Sequence, residues 1–245
     1  MLHKFSPYSP SRFFSLGSID EATGLVGFDG DLEFDCLIDA YVHGIFPWPV
    51  DHPVIPDRMV LAWFSPDPRG IFEYERFHVP CRLERLCRSG VFQIKFDNDF
   101  AGVIRGCSSA QDRRNSTWIT PQMINAYVEL HQFGVAHSVE AWFEGRLVGG
   151  VYGVALGGFF AAESMFYVKP NASKVALVAL IRHLKETGYT LVDIQEITPN
   201  TARFGAVEIP RKDYLQRLHK ALQLPVNWSA DISTPAQSEQ KIQNK

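Results

Sequence analysis

The chain has 245 residues, 46% hydrophobic and 21% charged, with a formal charge of −3. That is enough apolar material for one large core or two modest ones, and the acidic balance does not announce a polyanion partner. No run approaches the roughly 20 apolar residues that a membrane span needs, and MLHKFSPYSPSRFF at the N-terminus has no apolar signal region, so the expectation is a cytoplasmic protein without a membrane partner.

Residues 1–15 show no period. Asp31 can cap a helix through Leu32, Leu37, Ile38 and Tyr41, with Gly44 just past its end. Pro47, Pro49, Pro53 and Pro56 are expected to break regular structure, and LAWFSPDPRGIF reads as a short strand entering a turn. A soft boundary near 58–65 divides a small N-terminal domain, 1–62, from a larger domain, 63–228. The polar tail 229–245 is expected to be disordered.

Beyond the boundary, Pro80 to Ser89 reads as a helix, VFQIKF as a strand by its alternation, DFAGVIRGCS as a short helix and AQDRRNST as a polar loop. Thr120-Pro121 opens a helix that stops at Gly134. AHSVEAWFEGRLVGGVYGVALGGFFAAESMF reads as three strands joined at Glu144-Gly145 and Gly157-Gly158. Ser173 can cap the next helix, closed by Gly188; YTLVDIQEI is a strand and RKDYLQRLHKAL a last helix. The order predicts an α+β fold with a mixed, mainly antiparallel sheet, a β-meander followed by a helical crossover as in GNAT (acetyltransferase-type) domains.

Cys36, Cys81, Cys87 and Cys107 form no CxxC pair and no zinc-type cluster, so no metal is expected. There is no GxxxxGK[ST] loop, GxSxG elbow or HExxH helix. From Arg76 to Arg114, eight basic residues stand against four acidic ones, a local tract that can hold a polyanion or form a solvated face. Glu163 is a single carboxylate inside the apolar run FFAAESMF, where an ionised group is costly unless paired. Asp193 and Gln195 lie two apart on a strand and so are expected on one face, with Val192 and Ile194 on the other. If the helix after Phe166 is a crossover, Glu163 meets Asp193 and Gln195 as a polar cluster in an apolar sheet.

YVHGIFPW, WFSPDPRG, TWIT, AHSVEAW, LVGGVYGVALGGFFAAESMF, ASKVALVAL, LVDIQ and GAVEIPRKDYL, in colinear order over roughly residues 20–220, resemble the leucyl/phenylalanyl-tRNA–protein transferase family. The resemblance implies transfer of Leu or Phe from aminoacyl-tRNA to proteins beginning with Arg or Lys, creating an N-degron. It implies a GNAT-like catalytic domain behind a smaller N-terminal one, a monomer, and no metal or acyl-CoA cofactor. It assigns Glu163, Asp193 and Gln195 to catalysis, Tyr41, Trp48 and Trp118 to the 3′ adenosine, Val151, Phe160 and Leu180 to the aminoacyl side-chain pocket, and Arg82, Arg85 and Arg88 to tRNA. Val151 stands where some relatives have Met, Glu84 where some have a basic residue, and Asn200 and Arg203 depart from a His followed by a small residue, which bears on acceptor specificity. Two rivals are an acyl-CoA-dependent acyltransferase, for which FYVKPNASK lacks a Gly-rich pyrophosphate loop, and a non-catalytic tRNA- or degron-binding protein.

Overall fold

A computed structural model describes residues 9–14, 19–28, 30–51, 55, 59–109 and 117–228. The expected polar loop after Ser109 falls largely outside them, and the tail 229–245 falls wholly outside. A three-stranded antiparallel sheet has the order β1 (Leu25–Phe28), β3 (Met59–Phe64), β2 (Phe46–Asp51). Helix α1 (Phe34–Val42) precedes β2. Asp31 does not cap α1 directly: Glu33 is its N-cap residue, and the Asp31 side chain accepts from the Glu33 N–H.

Pro47 and Pro49 do not break structure. They lie within β2, an edge strand, where a residue without an N–H does not interrupt a ladder on both sides. A boundary after residue 62 would cut β3 two residues before it ends at Phe64.

The second sheet has seven strands in the order β10 (Val207–Ile209), β4 (Arg69–Phe72), β9 (Leu191–Gln195), β8 (Phe159–Tyr167), β7 (Arg146–Leu156), β6 (Ala136–Phe143), β5 (Gln93–Phe96). All described pairs are antiparallel except β8 with β9. The expected mixed sheet is therefore present, with its meander β6–β7–β8 and a crossover helix α5 (Ala172–Thr187) leading to β9. Asn171 rather than Ser173 is the N-cap residue of α5; Ser173 is buried in the first turn.

Helices cover both faces. Residues of α1, α3 (Phe100–Ser108), α4 (Pro121–Gln132) and α7 (Arg211–Ala221) share one core with Phe159 and Ala161 of β8. Residues of α5 and α2 (Cys81–Arg88) share the other with Phe160 and Val192. A short helix α6 (Pro199–Ala202), closed by reciprocal Thr198–Thr201 hydrogen bonds, follows β9.

Two irregularities position the site. Tyr152 pairs with Ser164 and Gly153 with Ala162, so Glu163 is left without a cross-strand partner: it is a β-bulge. The alternation reverses there. Phe160 points to the α5 core and Phe166 to the opposite one, although both are even-numbered. Gly153 makes room, since a Cβ on it would lie 2.2 Å from the Ala161 carbonyl oxygen and 2.5 Å from the Phe160 ring. In β9, Ile71 pairs with Asp193 and Gly70 with Gln195, which leaves Ile194 as a second bulge, and Gln195 has φ 59°.

Candidate active site

Parallel pairing of β8 and β9 is confined to Phe159–Ala161 against Leu191–Asp193. Beyond it the strands part around a pocket of about 330 Å³. Its polar floor is Glu163 and Gln195; Val151, Phe72, Leu177 and Ile194 are among its apolar walls.

Glu163 retains some accessible surface at this floor but is otherwise surrounded by protein. Burial raises its carboxyl from the ordinary 4.5 to about 8, against the opposing hydrogen bond from Tyr41; Asp193 raises it further and Arg69 lowers it. The Tyr41 and Tyr127 hydroxyls hydrogen-bond to each other at 2.5 Å, and both stand close enough to Glu163 to favour its ionised form. Burial, reinforced by Glu163, raises both phenols well above their usual range, so both stay protonated.

The Gln195 amide fits its surroundings in two orientations. One places Nε2 3.4 Å from Glu163 Oε1. The other donates to the carbonyls of Ala162 at 3.1 Å and Ile194 at 3.0 Å and turns the amide oxygen toward Glu163. The second is the better-bonded one near neutral pH, because a Glu163 that carries its proton is a donor and matches that oxygen.

Asp193 is fully buried and does not line the pocket. Its carboxylate accepts from Arg69 Nε at 2.9 Å and Nη2 at 2.7 Å, from the Tyr214 hydroxyl at 2.8 Å and from the Gln195 backbone N–H at 2.9 Å. Burial disfavours the charge on Arg69, but Asp193 holds it protonated, and its guanidinium lies over the rings of Phe46 and Tyr214. Arg69 Nη1 also donates to the Gly44 carbonyl at 2.9 Å, which ties the end of α1 to β4, the neighbour of β9.

This changes the expected division. The left-handed turn at Gln195 takes its side chain into the pocket, while its N–H faces Asp193. The two side chains therefore do not share one face, and Asp193 is closed off from the pocket. Arg69, Tyr127 and Tyr214 were missed. Arg69 alone left a signal, a charge opening the buried strand RGIF.

The expected adenosine residues separate. Trp48 and Trp118 stack with centroids 4.4 Å apart and planes at 19°, and Trp48 is 39% exposed. Tyr41 is buried, its hydroxyl bonded to that of Tyr127, so it offers no ring face to a base. Of the three expected side-chain pocket residues only Val151 lines the cavity. Phe160 lies in the core behind, stacked on Trp228, and Leu180 lies one helical turn beyond Leu177, which takes its place.

On α2, Arg82 and Arg85 are exposed, while Arg88 bonds to Glu84 at 2.7 Å. Arg82 also lines a neighbouring hollow of about 300 Å³ with Lys174, Asn200 and Arg203. Asn200 borders both cavities, whereas Arg203 faces only the basic one. Asp97, His131 and His137 bring potential ligand atoms within 4.8 Å of one another, but none lines the pocket, and Asp97 is engaged by His137 and the Ser138 N–H.

Residues 71–219 match the family model described as leucyl/phenylalanyl-tRNA protein transferase. A protein of that name from Nitratidesulfovibrio vulgaris (strain DP4) is 48% identical over 82% of this chain and 84% of its own. Another from Pseudomonas syringae pv. syringae (strain B728a) is 43% identical over 87% of this chain and 91% of its own. Among solved structures, an aminoglycoside acetyltransferase from an uncultured soil metagenomic sample aligns at 15% identity and a TM-score of 0.36, covering 57% of this chain and 91% of that one. With the matched region spanning the pocket and both bulged residues, and relatives 43–48% identical over most of the chain, the chain belongs to the leucyl/phenylalanyl-tRNA–protein transferase family.

Proposed function

We propose that this chain transfers Leu or Phe from the 3′ end of aminoacyl-tRNA to the α-amino group of proteins beginning with Arg or Lys, marking them for degradation as N-degrons. The observation that carries the reading is the Glu163–Gln195 pair in a pocket walled in part by Phe72, Val151, Leu177 and Ile194. Such a pocket suits an unbranched-β side chain such as Leu or Phe, whose burial is worth about 1.5–3 kcal/mol.

In the reaction the amine nitrogen bonds to the ester carbonyl carbon, the bond from that carbon to the 3′ oxygen breaks, and a proton passes from the amine to the departing oxygen. The ester is already activated, so the protein has to position two reactants and handle one proton. Glu163, with a carboxyl at about 8, is suited to both halves: its ionised form takes the amine proton and its protonated form returns one to the 3′ oxygen. The Gln195 amide oxygen accepts from the incoming amine. Tyr41 and Tyr127 hold Glu163, and Asp193, braced by Arg69 and Tyr214, fixes the Gln195 backbone. Trp48 and Trp118 offer a stacking platform for the terminal adenine, and Arg82, Arg85 and Arg88 hold the phosphates.

The test is incorporation of labelled Leu from Leu-tRNA into peptides beginning with Arg, Lys, Asp or Ala. Incorporation confined to the Arg and Lys peptides is the expected result. No incorporation by protein that still binds charged tRNA would replace this reading with a binding module.

A further inference from the structure

We propose that Glu196 selects the acceptor: its carboxylate receives the cationic side chain of the N-terminal Arg or Lys while the α-amine enters beside Gln195. The proposal rests on the transferase reading above and assigns a specificity residue within it.

Glu163 and Glu196 are the carboxyl-bearing residues lining the pocket. Glu163 holds its proton near neutral pH, and the nearby Asp193 is sealed behind the wall against Arg69. Glu196 differs from both. It is exposed at the pocket edge, and none of the ion pairs among the described residues includes it. Its charge is therefore available to a ligand.

Its place is fixed by the backbone. Gln195 is left-handed, and the Glu196 N–H turns back onto the Ile194 carbonyl at 2.7 Å. Gly70 lies beneath, where a Cβ would meet the Glu196 carbonyl carbon at 3.0 Å. The Glu196 Cα is thus held ~3.8 Å from that of Gln195, whose side chain meets the amine.

The surroundings sort two substrates by charge. Beyond Asn200 lies the hollow with Arg82, Lys174 and Arg203, which attracts phosphate and repels a cationic acceptor. The acid at the pocket edge does the reverse. Arg203, which the sequence placed near the site entrance with a bearing on either tRNA or acceptor, lines this basic hollow.

The experiment measures Leu transfer from Leu-tRNA to a peptide beginning with Arg and to the same peptide beginning with citrulline, its uncharged isostere. The unaltered chain is expected to favour Arg. Glu196→Gln is expected to raise KM for the Arg peptide about tenfold, the weight of one charge-assisted contact, and to bring the Arg and citrulline peptides together, with KM for Leu-tRNA and kcat unchanged. Glu196→Asp should recover part of the preference. An unchanged Arg-to-citrulline ratio in Glu196→Gln would overturn the proposal, as would a matching rise in KM for Leu-tRNA. Failure of the unaltered chain to modify any peptide would instead remove the transferase reading, and the proposal with it.

Discussion

Glu163 and Asp193 are both acids in an apolar sheet, but the structure neutralises them differently. Asp193 is matched by a permanent cation, whereas Glu163 is matched by its own proton. The linkage of Glu163 to stability has a definite sign. In the unfolded chain it ionises near 4.5 and in the folded chain near 8, so between these values the folded chain holds a proton that the unfolded chain has lost. Stability attributable to this residue falls as pH rises through that window and is constant above it. Glu163→Gln removes the penalty: its melting temperature is expected to exceed that of the unaltered chain at about pH 8 and to equal it at about pH 4. Activity should move oppositely. The logarithm of kcat/KM should rise with two ionisations near pH 8, that of Glu163 and that of the peptide amine at about 7.7–8, and Glu163→Gln should leave a weakened rate with only the second. For Asp193 the expectation is structural: Arg69→Met strands a buried carboxylate at a cost of ~3–5 kcal/mol, read as a lower urea midpoint, and Arg69→Lys cannot restore the two-pronged contact.

At the scale of elements, β5 to β9 and helices α2 to α5 and α7 were legible because alternation, caps and glycines mark them, as at Thr120-Pro121 and Gly188, whereas β4, α6 and β10 are too short to carry such a pattern. The bulges were not legible. FFAAESMF has apolar residues on both sides of Glu163 because both sheet faces are buried, so the run carries no alternation for a bulge to interrupt. The same blindness placed Asp193 and Gln195 on one face. It also hid the Arg69–Asp193 pair, since a contact across 124 positions leaves no local pattern. Pro47 and Pro49 misled for the opposite reason: their local rule is strong, and an edge position suspends it. Gly153→Ala tests the bulge. The added methyl would press into the Ala161 carbonyl and the Phe160 ring, so a loss of ~1–3 kcal/mol is expected, together with a fall in transfer larger than the fall in tRNA binding. An unchanged denaturation midpoint would mean that β8 accommodates the methyl without its present register.

Over the whole molecule, a formal charge of −3 is compatible with a polyanionic donor because Arg82, Arg85 and Arg88 share one helix and Lys174 and Arg203 stand in the hollow beside it. Removing Arg82 or Arg85 should reduce the slope of log K for Leu-tRNA against log salt by about 1 each. Arg88→Ala should change it less, its guanidinium being occupied by Glu84. The brace around Asp193 gathers distant parts of the chain: Arg69 reaches back to Gly44, and Tyr214 arrives from α7, whose Leu215 and Leu218 pack with it against Gly44. On a ribosome these partners emerge in the order 44, 69, 193, 214. Until the last of them leaves the exit tunnel, Asp193 lacks its phenol and Gly44 its helical cover. The support of the site is thus completed from parts of the chain made far apart in time, with Tyr214 the last to arrive.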